Sequence, residues 1–263
     1  MVSLSYYYEN KRAIVRGIPN TFDSALSKYM SIESIDVNTA KVQHTHYVAK
    51  LKSLNVEILE LPSDDTYPDC CFVEDQIVVI HDKGLITNAG AQSRRGERDV
   101  IINSLNEKLI LEFMEAPAEL DGGDVLRVGN ILYVGQSTRT NIHGINRLKE
   151  FANSSGIQVE AIPIPIDSLH LKSICSSPCP DTLIVAENTL PLDMFHSSHK
   201  LILIPKEDVY AANTIGIGQD LIVADEYPKT HKILEEEGFI LHKLHMSQIR
   251  NADGSLTCLS VFY

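Results

Sequence analysis

Five residues recur along this chain at a nearly fixed interval. Glu74, Asp121, His170, Asn213 and Cys258 are separated by 47, 49, 43 and 45 residues. Each stands beside a short apolar run, such as Ile77-Val78-Val79-Ile80 after Glu74 or Val125-Leu126 after Asp121. The segments between them share a rhythm of strand, strand, helix, strand. Phe72 to Pro117 runs FVEDQIVVI, GLIT, RRGERDVIINSLNEKL, ILEFMEAP, and Leu120 to Pro165 repeats it as LDGGDVLRV, ILYVG, NIHGINRLKEFANSSG, IQVEAIPIP. A period of this size signals supersecondary units that bury a shared core. Arranged around an axis, such units bring their equivalent positions together, so acids, a histidine and a cysteine far apart in sequence converge.

Five units can be drawn, the last one split between the chain ends. Its first strand is expected at Ser255–Phe262, with Cys258 on it. The N-terminal part supplies a strand at Ala13–Arg16, a helix from about Val37 to Leu54 begun at Asp36, and a strand at Val56–Leu61. Leu61-Pro62, Ile164-Pro165 and Ile204-Pro205 are expected to mark strand exits, because proline removes a ladder donor. Gly17 to Leu26 is expected to be a loop, a candidate lid. No linker-like stretch divides the 263 residues, so one domain spanning 1–263 is expected.

Composition narrows the function classes. The net charge of −12 argues against general affinity for nucleic acid or anionic membrane, and no apolar stretch approaches membrane-spanning length. The opening MVSLSYYYENKR lacks the pattern of a signal peptide, so the Asn153-Ser154-Ser155 sequon is expected to be unmodified. Five cysteines with no framework spacing fit reduced thiols in a cytoplasmic protein. Cys175 and Cys179 lack a second ligand pair at zinc spacing, and no metal site is expected. The Gly216–Gly218 GIG lacks the glycines of a dinucleotide loop.

Taken singly, each candidate has a plain structural reading. Cys258 fits an inert core thiol, Asp121 and Asp124 a turn, and Arg94, Arg95 and Arg139 surface charges. Their matching repeat positions weaken those readings jointly. A cysteine, a histidine and an acid form the arrangement of a thiolate nucleophile with an oriented acid–base partner. The additional carboxylates call for a cation. A guanidinium fits, because its forked N–H groups pair bidentately with carboxylates, and nearby arginines suit a carboxylate at the substrate's other end.

The motifs VRGIPNTFDSAL, LPSDDTYPDCCFVED, LITNAGAQSRRGE, LDGGDVL, VGQSTRTN, LHLKS, YAAN and DGSLTCLSV run nearly end to end. Through them the chain resembles the dimethylarginine dimethylaminohydrolases of the guanidino-group-modifying, or pentein, superfamily. The resemblance implies an α+β fold, a five-bladed ββαβ propeller. It implies Cys258 as nucleophile, His170 as general acid and base, and Asp121 as its orienting carboxylate. Asp69, Glu74 and Asp75 correspond to the residues that hold the guanidinium and neighbouring polar groups, with Phe72 lining the pocket. Arg94 and Arg139 correspond to a clamp on the substrate's α-carboxylate, and Leu26 to the lid contact. Ala252-Asp253 stands where family members often carry Val-Asp, a contact made by backbone. The implied activity is hydrolysis of methylated arginine to citrulline by a monomer or homodimer, with no cofactor.

Two alternatives follow. One is another guanidino hydrolase, acting on arginine, agmatine or a hydroxylated analogue; arginine deiminases share the fold and cysteine, but typically carry an acid two residues after the histidine, where this chain has Lys172, and an additional helical module. A ribosome anti-association factor shares the propeller without chemistry, and Cys258, His170 and Asp121 argue against it.

Overall fold

The computed structural model describes residues 11–28 and 34–263. The N-terminal MVSLSYYYEN, read above for a leader, lies outside the described residues. Among them are five three-stranded sheets, each with one antiparallel and one parallel pairing.

In chain order the strands are β1 (Arg12–Arg16), β2 (Glu57–Leu61), β3 (Ile77–Ile80), β4 (Lys83–Ile86), β5 (Ile110–Phe113), β6 (Val125–Val128), β7 (Ile131–Gln136) and β8 (Gln158–Pro163). There follow β9 (Cys175–Cys179), β10 (Thr182–Ala186), β11 (Lys200–Ile204), β12 (Ile215–Ile217), β13 (Asp220–Ala224), β14 (Ile240–Leu244) and β15 (Ser260–Phe262). The helices are α1 (Val37–Ser53), α2 (Arg98–Leu105), α3 (Ile142–Asn153), α4 (Pro228–Glu236) and α5 (Ser247–Asn251). Four sheets follow the chain as β3-β4-β5, β6-β7-β8, β9-β10-β11 and β12-β13-β14. The fifth, β15-β1-β2, joins the two ends, with Ile14 opposite Val261 and Leu59. This is the five-bladed α+β propeller.

The parallel pairings need crossovers, and helices supply them in four blades. Helix α1 opens at Asp36, whose side chain accepts the Thr39 N–H, and buries Ala40, Tyr47 and Leu51 against the fifth sheet. The third blade departs from the repeat. Between β10 and β11 stands only a 3-10 turn, Leu192–Met194, in a stretch whose Pro191 and scattered polar residues give no helical apolar stripe.

The first strands of the blades face inward. β6 packs on β9, β9 on β12, and β15 on β3. All five residues of β9 are buried, whereas both ends of the outer strand β5 are exposed. β2 and β11 end at the residue before a proline, as expected, and β8 ends earlier, at Pro163. No helix among the described residues is long and apolar enough to cross a membrane. All five cysteines are free.

Candidate active site

A short 3-10 turn precedes each inward strand, and these turns position the repeated residues. They span Val73–Gln76, Gly122–Asp124, Leu171–Ser173, Lys206–Ala212 and Thr257–Leu259. Cys258 therefore lies on a turn and not on the strand expected at Ser255–Phe262, which begins only at Ser260. The turn lifts the half-buried thiol out of the strand's alternation.

His170 and Asp121 meet, with His170 Nε2 3.0 Å from Asp121 Oδ2. Asp121 is fully buried, accepts the Gly90 N–H through Oδ1 at 2.9 Å, and lies 3.4 Å from the Arg139 guanidinium. The other face of the imidazole looks toward Asp75, 4.0 Å from Nδ1. The glycines of LDGGDVL permit this crowding. A Cβ on Gly122 would sit 2.0 Å from the Glu74 carbonyl oxygen, and one on Gly123 would sit 2.5 Å from His170 Nδ1.

Burial alone would depress the His170 pKa. The charge of Asp75, the hydrogen bond with Asp121 and the charges of Asp124 and Asp121 override it and hold the ring up at about 9. The resting imidazole is therefore protonated at neutral pH. Asp75 moves the opposite way: burial opposes the shift, but the His170 and Arg94 charges hold its carboxyl below the usual range. The Cys258 thiol is pushed far up, by burial first and then by the negative charges of Glu74 and Asp75. The site rests as a neutral thiol and an imidazolium among acidic side chains.

Glu74 is gripped from two sides. Lys172 Nζ donates to Oε1 at 2.5 Å and Thr257 Oγ1 donates to Oε2 at 2.8 Å. Burial nevertheless raises its pKa against the pull of Lys172. Glu74, Lys172 and Thr257 line a cavity of about 140 Å³ together with Arg127, Ser176, Ser177, Thr214 and Ser260.

Arg94 lies deeper than a surface charge. At 4% exposure its guanidinium donates to Asp75 Oδ2 at 2.6 Å, to Glu97, and to the Asp69 and Phe72 carbonyls. Arg139 is the more accessible arginine, its side chain 19% exposed. Asp69 is buried and accepts the Leu26 N–H at 3.1 Å, while the Leu26 side chain is 41% exposed.

Beside Leu26, Ser27 Oγ donates to the Asn251 carbonyl and the Lys28 N–H donates to Asp253 Oδ2 at 2.5 Å. Phe22 from the expected loop is buried and meets Phe72 edge to face at 5.8 Å. Phe72 also fills the space over Gly254, where a Cβ would lie 2.3 Å from its ring. Ala252 is buried at the end of α5, and Asp253 turns the chain with φ of 56°.

Glu74, Asp75, Asp121, His170 and Cys258 thus surround one another electrostatically. Asp69 and Phe72 meet Arg94 through their carbonyls, Arg139 reaches Asp121, Leu26 is held by Asp69, and Asp253 holds the Lys28 N–H. Asp75, Asp121 and His170 also offer ligand atoms within 4.8 Å of one another, but Arg94 and Arg139 already bring positive charge there.

Sequence reasoning passed over Glu97, which holds Arg94 at 2.8 Å, and Thr257. The three-residue spacing of Arg94 and Glu97 was a signal, though an ordinary one on exposed helices. Nothing marked Thr257 beyond its place beside Cys258.

The family model described as N,N dimethylarginine dimethylhydrolase, eukaryotic, matches residues 19–219. The N(G),N(G)-dimethylarginine dimethylaminohydrolase of Streptomyces coelicolor is 32% identical over 254 residues, covering 96% of each chain. That of Pseudomonas aeruginosa is 31% identical over 228 residues, covering 86% of this chain and 89% of the relative. The solved structure of the Pseudomonas aeruginosa protein, as a cysteine-to-serine mutant complexed with citrulline, superposes with a TM-score of 0.89 at 28% identity. It covers 96% of this chain and 98% of that one.

Proposed function

The chain belongs to the dimethylarginine dimethylaminohydrolase family, and from that premise we propose that it hydrolyses Nω-methylated arginines to citrulline. Asymmetric dimethylarginine yields dimethylamine and monomethylarginine yields methylamine. The observation that carries the reading is that the turns before the inward strands bring Cys258 and His170 together with the Glu74, Asp75 and Asp121 carboxyls, His170 lying 3.0 Å from Asp121 and 4.0 Å from Asp75. Such a site rests inactive and is completed by a cationic substrate. A guanidinium entering between Glu74 and Asp75 offsets the charges that hold the Cys258 proton, and the thiol ionises as the substrate docks, its proton passing to solvent because His170 is already protonated.

The Cys258 thiolate then attacks the guanidinium carbon. His170, already protonated, gives its proton to the departing dimethylamine, leaving a covalent S-alkylthiouronium. The now neutral imidazole removes a proton from water, the hydroxide adds to the same carbon, and collapse expels the sulfur, which takes up the adduct's hydroxyl proton, so that thiol, imidazolium and citrulline are formed. Asp121 keeps the ring oriented throughout. Arg139, together with the second N–H on Arg94 Nη1, receives the α-carboxylate. Asp69 and the backbone at Leu26 and Ala252 receive the amino end. Free cysteines and the net charge of −12 support a cytoplasmic protein that acts on a small molecule and not on nucleic acid.

Charge cannot separate arginine from its methylated forms. Lys172 and Thr257 already donate to the two Glu74 oxygens, so fewer acceptor sites remain there for an extra substrate N–H. A buried unpaired N–H costs about 1–3 kcal/mol, whereas a methyl group needs no partner. Side-by-side kcat/KM values, read as citrulline formed from asymmetric dimethylarginine, monomethylarginine, arginine and agmatine, test this. The methylated substrates are expected to lead. Arginine or agmatine performing as well would move the assignment to a deiminase.

A further inference from the structure

We propose that Asp124 is a positioning residue for this reaction, whose carboxylate ties the turn carrying His170 to the loop carrying Arg139 and to the backbone of Asp121. The inference rests on the activity proposed above. Asp124 closes the LDGGDVL motif, where a turn aspartate is otherwise unremarkable. It is fully buried. Oδ1 accepts the Leu171 N–H at 3.0 Å, directly after His170. Oδ2 accepts the Ser137 hydroxyl at 2.5 Å and the Thr140 hydroxyl at 2.6 Å.

Those two hydroxyls pass the connection on. Ser137 Oγ accepts the Arg139 N–H at 2.9 Å, and Thr140 Oγ1 accepts the Asp121 N–H at 3.3 Å. One carboxylate therefore sets the register of the acid–base histidine, its orienting acid and the carboxylate clamp, which come from two blades. Gly135 closes the slot: a Cβ there would sit 2.7 Å from Asp124 Oδ1 and 2.9 Å from Leu171 Cβ.

The charge itself needs a reason. All three donors to Asp124 are neutral, and burying a carboxylate without a cation is costly. A neutral side chain would cap the same amide. The cation that responds to Asp124 is His170, and burial against that attraction leaves the Asp124 carboxyl raised to about 6. The charged groups around His170 are Asp75 with Arg94 behind it, Asp121 with Arg139 behind it, Lys172 on the turn His170 begins with its partner Glu74, and Asp124. Asp124 is the member of this set without an arginine or lysine partner among the described residues.

Asp124→Asn keeps an acceptor for the Leu171 N–H and removes the charge. In the free protein, NMR titration of the His170 ring is expected to show its midpoint lowered by roughly one pH unit. With asymmetric dimethylarginine, kcat is expected to fall about 10- to 100-fold while KM stays within about threefold, the signature of misplaced chemistry with binding intact. An unmoved His170 midpoint together with kcat within about twofold of wild type overturns the proposal. If Asp124→Asn does not fold, the double variant Ser137→Ala, Thr140→Val decides, because it retains the carboxylate and its bond to Leu171 and cuts its connections to the Arg139 loop and the Asp121 backbone. Unchanged kcat there also overturns it. A wild-type protein that forms no citrulline refutes the proposed activity instead, and the titration still reports on Asp124.

Discussion

The turns at His170 and Asn213 occupy the same place in neighbouring blades, each just before an inward strand, and they do opposite things. His170 is surrounded by Asp75, Asp121 and Asp124, and its ring holds a proton that these charges retain. Asn213 carries no titrating proton, and every polar atom of its side chain is engaged. Nδ2 donates to the Lys172 carbonyl at 2.7 Å and to Thr257 Oγ1 at 3.0 Å, while Oδ1 accepts the Thr257 N–H at 3.0 Å. Asn213 thereby fastens the turn after His170 to the turn that carries Cys258. Pseudo-symmetry delivers five side chains to one place. Whether a slot does chemistry or holds its neighbours depends on the charges around it and on what remains to exchange a proton.

The largest effect that sharpens this contrast belongs to the fifth slot. Cys258→Ser is expected to reduce citrulline formation by more than about 10³-fold with the fold retained, because the hydroxyl does not replace a thiolate nucleophile at this carbon. Since Cys258 sits on a half-buried turn, the change is small in volume, and circular dichroism confirms that the protein tested is folded. A folded serine variant with substantial activity would remove Cys258 from the chemistry.

His170→Ala comes next. Losing a positioned acid and base typically costs roughly 10²–10⁴-fold, and both amine departure and hydrolysis of the covalent intermediate are expected to slow. Turnover within about threefold of wild type at saturating substrate would make His170 a holding residue like Asn213.

The contrast was only half legible in the sequence. The period is visible because the first and middle strands of the blades are buried and mostly apolar, which repeats Ile77–Ile80 as Val125–Val128 and Thr182–Ala186 as Asp220–Ala224. Family motifs then picked out Cys258, His170 and Asp121. Most of the 3-10 turns are invisible in the sequence, since three or four residues carry no periodicity, which is why the alternation around Cys258 reads as a strand. Arg94 looked like a surface charge because its buried partners Asp75 and Glu97 are ordinary acids in the sequence. Asp124 looked like part of a turn, and its hydroxyl partners Ser137 and Thr140 come from a segment with no motif pointing back to it.

A smaller effect separates the two slots without substrate. The folded His170 pKa of about 9 lies above the ordinary value of 6.5. Its contribution to stability is complete below pH 6.5 and is lost as pH rises toward 9. At about 1.4 kcal/mol per unit, the loss amounts to about 3 kcal/mol. Asp124, raised to about 6, acts in the same direction at lower pH, between 3.8 and 6, so the windows do not overlap. Urea unfolding of the free protein is expected to show stability declining between pH 6.5 and 9, and His170→Ala is expected to flatten that decline. A wild-type curve already flat over this range would mean that the imidazolium is not held by its acids.

The smallest effect tests the holding slot. Asn213→Ala leaves the Lys172 carbonyl and the Thr257 N–H without their partner, and is expected to cost about 1–3 kcal/mol of stability at every pH, because no titrating group is removed. The decline between pH 6.5 and 9 should persist, displaced to lower stability. Turnover should fall less than it does in His170→Ala, since the acid, the base and the nucleophile all remain. Urea midpoints measured across pH, beside kcat for the same preparation, give both quantities. If Asn213→Ala were as stable as wild type but as slow as His170→Ala, the fourth slot would belong to the chemistry, and the division drawn between the two turns would fail.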